Sequence, residues 1–355
     1  AMTIGNLGVG LGLAFNGYDL WAYVFALLSQ NTLMTILYWI YKPVKIGMSW
    51  NWETTKDMIR YGGGSTLFNM FNYAATKVDT LIVGKYAQTD FAGADMERWR
   101  NTGIYDRSVY LMGLPITVLG KLSDSVMFSG LSQLQDDKAR MQRAFLSAVY
   151  HIAILVIPGS VFMIFFAEQI TVLFLGPKYL DAVPLVQILF ATVGFRSVIK
   201  IADSIVRAMD RVYTASLIKA SFLICVAIGT YFGLKSGLHG VAWALVLAVF
   251  IQFVLIMGFS LHLVDLKPNR LIKKFVPAML ISVVVAVASY IAVKINGNIS
   301  DNQFVKLIVG LSVNTLALGI VAWFAPFVFK QGKDDILDEL ASRLPVQALK
   351  KRWKK

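Results

Sequence analysis

Charge is scarce in this sequence. Of its 355 residues only 15% are Asp, Glu, Lys or Arg, whereas 57% are hydrophobic. A soluble domain carries about a quarter charged residues. The lone cysteine, Cys225, lies inside an apolar run and excludes an intrachain disulfide. His151, His239 and His262 are far apart, with no paired ligands at metal spacing, so no metal is expected. A phosphate-binding G-x-x-x-x-G-K-[ST] loop is missing as well: Gly62-Gly63-Gly64-Ser65 has no lysine behind it. Drive by ATP hydrolysis within the chain, and any cofactor, are therefore not expected. Ala1-Met2 runs straight into an apolar stretch with no charged n-region and no A-x-A site, so the start does not read as a signal peptide.

What the sequence does have is apolar runs of about 20 residues, the length that matches a bilayer's hydrocarbon core. We read spans at residues 3–15, 20–41, 63–86, 105–128, 144–166, 183–207, 213–233, 240–263, 275–295 and 304–329. Turn residues punctuate them, among them Asn16-Gly17, Lys42-Pro43, Gly176-Pro177, Ser236-Gly237 and Asn296-Gly297-Asn298. The expected fold class is all-α: a polytopic membrane helix bundle of about ten transmembrane helices.

Lysine and arginine set the expected orientation. Alternate connections carry Lys42, Lys45, Lys56 and Arg60, then Lys138, Arg140 and Arg143, then Arg207 and Arg211, then Lys267, Arg270, Lys273 and Lys274. The C-terminal tail adds further basic residues up to Lys355 on the same side. The opposite connections hold far fewer, such as Lys85, Lys178, Lys235 and Lys294. The richer side is expected in the cytoplasm, with the C-terminus, and this explains the net charge of +13 without nucleic acid. In the tail, Ile336, Leu337, Leu340, Leu344 and Trp353 suit an interfacial helix; a solvated basic tail is the other reading.

An internal repeat is visible. Gly17, Ala22 and Tyr23 match Gly237, Ala242 and Trp243 at an offset of 220 residues, each in a short outer turn. On this reading residues 1–52 are the last two helices of a first transporter lobe. Residues 53–264 are a complete six-helix second lobe, 265–330 an additional helix pair, and 331–355 a basic cytoplasmic tail. The first four helices of the first lobe are then expected to be missing, in keeping with the short first span.

Charged groups at bilayer depth each cost roughly 2.5–3.5 kcal/mol and so suggest function. The sixth span carries Arg196, Lys200, Asp203 and Arg207 at intervals that share one helix face, opposite Val193, Ile199, Ile205 and Val206. The fourth carries Asp106, Tyr110, Gly113, Thr117, Lys121 and Asp124 in the same rhythm, beside Pro115. The third offers Asn69, Asn72, Thr76 and Asp79 near Lys77; Lys219 lies near the start of the seventh. Three polar stripes must face one another or a hydrated cavity. Some charges can pair internally, for example Lys200 with Asp203 or Lys121 with Asp124. The cations Lys77, Lys121, Arg196, Lys200, Arg207 and Lys219 nevertheless outnumber Asp79, Asp124 and Asp203. The surplus suits an anionic guest such as a pyrophosphate or acidic sugar, and disfavours cationic drugs.

Several motifs are similar to those of bacterial oligosaccharide flippases of the Wzx type, a branch of the superfamily that includes MATE exporters and the lipid II flippase. They are Lys77-Val-Asp79-Thr-Leu-Ile-Val-Gly84-Lys85-Tyr86, Gly103-Ile-Tyr105, Leu114-Pro115, Phe128-Ser129-Gly130, Pro158, Leu175-Gly176-Pro177 and Gly240-Val241-Ala242. The resemblance implies two six-helix lobes and alternating access. It implies carriage of undecaprenyl-diphosphate-linked oligosaccharide from the cytoplasmic to the periplasmic leaflet of the inner membrane. Implied partners are that lipid-linked substrate, membrane lipids, and the polymerase and glycosyltransferases of surface polysaccharide synthesis. Arg196, Lys200, Lys121, Lys77, Lys219 and Arg207 would attract the substrate; Asp79, Asp124 and Asp203 would pair with those cations or couple to an ion. The alternatives are a small-molecule or multidrug exporter of the same superfamily, a scaffold, and a membrane glycan polymerase or ligase. The last usually carries a large outer loop with histidine, which this sequence lacks. The loop from Ala87 to Thr102 is longer and more charged than the family pattern.

Overall fold

The computed structural model describes residues 2–42, 51–86, 94–132, 137–296 and 302–324, together with the side chains of most of them. The basic tail, including its candidate interfacial stripe, lies outside the described residues. Among the described residues the protein is all-helical, without a strand: α1 (Met2–Phe15), α2 (Asp19–Tyr41), α3 (Trp52–Ala75), α4 (Val78–Tyr86), α5 (Ala94–Ser132), α6 (Lys138–Phe165), α7 (Ala167–Leu175), α8 (Val183–Ala208), α9 (Val212–Gly233), α10 (Gly237–Leu263), α11 (Pro268–Asn296) and α12 (Gln303–Phe324). Six stretches are long and apolar enough to cross a bilayer, and one of them, Val212–Leu263, contains both α9 and α10. It is a polytopic helical membrane protein. Helices α1 and α4 are too short, and α3 and α5 too polar, to count among these six stretches.

Two units separate by their internal contacts, Ala1–Met58 and Ile59–Lys355. In the first, α1 and α2 form a hairpin turned at Gly17. In the second, α8 is the axis. It packs against α5, α6 and α10, and α11 lies on α6 with α12 beyond it.

Three differences from the sequence reading have local causes. The third span is two helices, α3 and α4, with Thr76 and Lys77 in a turn between them. The α3 helix begins already at Trp52 because the Asn51 side chain accepts from the backbone N–H groups of Glu53 and Thr54. This is the capping role of an N-cap asparagine. The charged stretch before the fourth span is helical from Ala94, and Arg100 in it pairs with Asp181 in the turn before α8. Residues 87–93 lie outside the described residues.

The turns after α8 and after α10 share one cap. Asp210 and Asp265 adopt left-handed backbone at φ 56° and 53°. Arg211 N–H then reaches Val206 O at 3.0 Å, and Leu266 N–H reaches Leu261 O at 2.9 Å, closing the last turns of α8 and α10. Aspartate tolerates this conformation better than most side chains. Asp265 also accepts from Lys138 at the start of α6, which holds its carboxyl below the usual range. Because the folded carboxyl is the stronger acid, this tie is present at neutral pH and is lost as pH falls through that lowered value.

The α9–α10 hairpin is held by backbone proximity. A Cβ on Gly240 would lie 2.2 Å from Gly233 O, one on Gly233 2.7 Å from Gly240 O, and one on Gly229 3.2 Å from the Ala244 Cβ. Small residues at this spacing let membrane helices approach closely. Aromatic rings fill the wider gaps: Phe195 meets Phe250 and Phe253, and Phe253 meets Phe275, joining α8, α10 and α11. Ser289 and Asn314 hydrogen-bond between α11 and α12. We predict that Gly240→Ala lowers the apparent melting temperature in detergent by several degrees, because a backbone carbonyl cannot yield. Gly258→Ala, where a Cβ meets nothing within 4 Å, leaves it unchanged or raises it. Fluorescence-detected size-exclusion after heating reads both.

Candidate functional site

The buried charges collect around α8. Both of its faces are enclosed: Val193, Ile199, Ile205 and Val206 are buried on one side, and Asp203 is 4% exposed on the other. Arg196, Lys200 and Arg207 are partly exposed on that second side. A central helix therefore carries its polar row inside the bundle.

Two buried groupings meet this row. In the first, Asp79 of α4 accepts from the Tyr105 hydroxyl of α5 at 3.0 Å and from the Thr80 backbone N–H at 2.7 Å. Arg196 faces both Asp79 and Tyr105 electrostatically, yet its Nε is buried without a hydrogen-bond partner. In the second, Lys219 of α9 donates to Asp203 Oδ2 at 2.8 Å, both side chains being buried. The Phe68 ring of α3 lies 5.2 Å from Lys219 Nζ and 5.6 Å from the Arg207 guanidinium. Lys200 and Arg196 lie within electrostatic reach of Lys219, so the two groupings form one field.

Magnitudes decide how this centre is held. At 2.8 Å and an effective dielectric near 20, a single pair attracts by roughly 6 kcal/mol. Removing two ions from water costs several kcal/mol each. The pair is therefore near balance as a unit, and far from balance if one member is lost. Asp203 Oδ1 and Arg196 Nε, both buried and unpartnered, show polar capacity that the chain leaves unused. A buried polar atom without a partner costs about 1–3 kcal/mol. Such a centre can accept a further polar or charged guest.

The sequence-derived residues are placed unequally. Arg196, Lys200, Asp203, Arg207, Lys219 and Asp79 converge. Lys77 is exposed in the turn between α3 and α4. Lys121 and Asp124 belong to α5, but their side chains lie outside the described residues. Of the expected α5 stripe, Asp106 and Gly113 are half-buried and Tyr110 and Thr117 exposed. Ile104, Tyr105, Ser108, Leu111 and Met112 are buried instead. The expected row Asn69, Asn72, Thr76, Asp79 is interrupted by the turn, which puts Asp79 in the core and leaves Asn69 and Thr76 exposed. Two contributors escaped the reading of charges: Tyr105, visible only within Gly103-Ile-Tyr105, and Phe68, which carries no polar signal.

Residues 1–184, just over half of the chain, match the family described as polysaccharide biosynthesis protein. The chain belongs to that family. Curated relatives agree with this membership. The teichuronic acid biosynthesis protein TuaB of Bacillus subtilis (strain 168) is 18% identical over 272 residues, covering 76% of this chain and 54% of TuaB. The lipopolysaccharide biosynthesis protein WzxC of Escherichia coli (strain K12) is 22% identical over 220 residues, covering 61% and 42%. An uncharacterized membrane protein in the cps region of Klebsiella pneumoniae is 25% identical over 143 residues, covering 40% and 27%. The chain thus spans about half or less of the length of these family relatives. No solved structure matches it.

For the ion pair, Asp203→Ala leaves Lys219 buried and unmatched and is expected to cost about 3–5 kcal/mol. The double change Asp203→Leu/Lys219→Met, with no charge to bury, recovers most of the folded yield. Thermal denaturation of the purified variants reads the difference; equal loss in both would show that the pair is not what matters there.

Proposed function

We propose that this chain is the membrane-embedded part of a flippase for lipid-linked glycan, working in the synthesis of a surface polysaccharide. Family membership supports the route, and the likeness to TuaB, a teichuronic acid biosynthesis protein, and WzxC, a lipopolysaccharide biosynthesis protein, supports the class of cargo. The observation that carries the reading is the cation-rich polar centre along α8. Among the described residues, the four cations Arg196, Lys200, Arg207 and Lys219 gather with the two carboxylates Asp79 and Asp203. A diphosphate presents oxygens that a guanidinium fork and mobile ammonium groups hold well. Undecaprenyl diphosphate bearing an oligosaccharide combines such a head with a tail that stays in lipid.

In this reading Arg196 and Lys200 draw the diphosphate or acidic sugars to the centre. Lys219 and Arg207 extend the field, Lys121 and Lys77 add to it along the path, and Asp79, Asp124 and Asp203 position the cations or titrate with an ion gradient. Ten helices span the bacterial inner membrane, with the C-terminus in the cytoplasm. The described lobe rocks against a second lobe in alternating access. Movement of the cargo needs no covalent step, so the role is transport and not enzymatic. Glycosyltransferases supply the substrate and a polymerase consumes it.

In the intact protein, Arg196→Ala/Lys200→Ala is expected to reduce surface polysaccharide by at least about tenfold at unchanged protein level, as expected when differential binding of the moving group is removed. Unchanged export would sink the assignment of those two residues. For orientation, green fluorescent protein fused after Lys355 is expected to fluoresce, and alkaline phosphatase fused there to be inactive. The reverse pattern would overturn the inside-positive assignment.

A further inference from the structure

We propose that Tyr105 is a positioning residue of the anion site: by holding Asp79 it keeps that carboxylate from closing onto Arg196, so that the guanidinium stays available to a phosphate of the cargo. The inference rests on the reading of Arg196 as an anion-binding group.

Three observations carry it. First, the Asp79 carboxylate is satisfied without Arg196. Its Oδ2 accepts from the Tyr105 hydroxyl at 3.0 Å and its Oδ1 from the Thr80 backbone N–H at 2.7 Å. It also lies in the first turn of α4, where the helix dipole favours negative charge. Second, Arg196 and Asp79 act on each other by charge alone, whereas Lys219 and Asp203 also share a hydrogen bond. Arg196 keeps part of its surface open, and its Nε has no hydrogen-bond partner. The two carboxylates of the centre thus stand differently toward their cations: Asp203 is bonded to Lys219, and Asp79 is bonded away from Arg196. Third, the Tyr105 ring has no room to swing. It is fully buried and packed with Val83 of α4 and Val241 of α10, which aims its hydroxyl at Asp79.

A carboxylate left beside a guanidinium makes a bidentate pair, using the same donors that a phosphate needs. A phenol hydroxyl satisfies the carboxylate and takes none of those donors. The nearby negative charge still favours the charged guanidinium inside the bundle. Tyr105 therefore acts through Asp79 and does not touch the cargo.

The test is a set of variants of the full chain in detergent: Tyr105→Phe and Asp79→Asn, alone and together, with Arg196→Ala as the reference. Inorganic pyrophosphate is titrated calorimetrically into each, and thermal denaturation checks folding. Tyr105→Phe is expected to weaken binding by at least about tenfold, because the released carboxylate takes up charge-assisted hydrogen bonds from Arg196. Adding Asp79→Asn restores the unsubstituted affinity or exceeds it, a rescue that a tyrosine serving only to pack would not show. Asp79→Asn alone is expected to bind at least as tightly as the unsubstituted chain, and this comparison decides if Tyr105→Phe does not fold. Unchanged affinity in Tyr105→Phe, a double variant as weak as Tyr105→Phe, or weaker binding in Asp79→Asn overturns the positioning role. With Arg196→Ala still abolishing binding, the anion site survives that result. No binding by the unsubstituted chain, or binding unaffected by Arg196→Ala, overturns the anion site and the positioning role together.

Discussion

Lys219 and Asp203 meet at 2.8 Å inside the bundle, and the contact ties α9 to the central helix α8. An ammonium in such surroundings must be matched, and Asp203 is positioned to match it only if α8 is central. That position forces the rest of the α8 polar row inward. Arg196 then falls against Asp79 and Tyr105, and Arg207 against the ring that also faces Lys219. Apolar shape is supplied by the glycine seam of α9 and α10 and by the rings of Phe195, Phe250, Phe253 and Phe275.

Helix identity was legible in the sequence wherever hydrophobicity was continuous. From α8 to α10 the expected spans agree with the observed helices to within three residues, whereas α11 begins at Pro268, well before the expected 275, and α12 begins at Gln303, next to the expected 304. Legibility failed where polar residues interrupted the run. The break at Thr76–Lys77, the early start of α3 and the helical charged segment before the fourth span all depend on local side-chain capping or on a partner distant in sequence. Hydropathy has no access to either.

The candidate centre was legible in part, for a similar reason. Spacing placed Arg196, Lys200, Asp203 and Arg207 on one face, but it could not say which carboxylate meets which cation. Asp203 takes Lys219, which is 16 residues away and on another helix. Periodicity also misled where it assumed an unbroken helix. Asp79 was grouped with Asn69 and Thr76, yet the turn sends it into the core with Tyr105. Phe68 had no charge to mark it, and only the geometry puts it over two cations.

The central claim is that the α8 centre serves a lipid-borne anion. The most direct measurement is a leaflet-exchange assay in proteoliposomes containing the intact protein. It compares a fluorescent undecaprenyl-diphosphate oligosaccharide with a lipophilic cation of similar size. The account predicts rapid protein-dependent movement of the diphosphate-linked glycan and none of the cation above protein-free vesicles. Movement of the cation, or a glycan rate equal to that of empty vesicles, would contradict it.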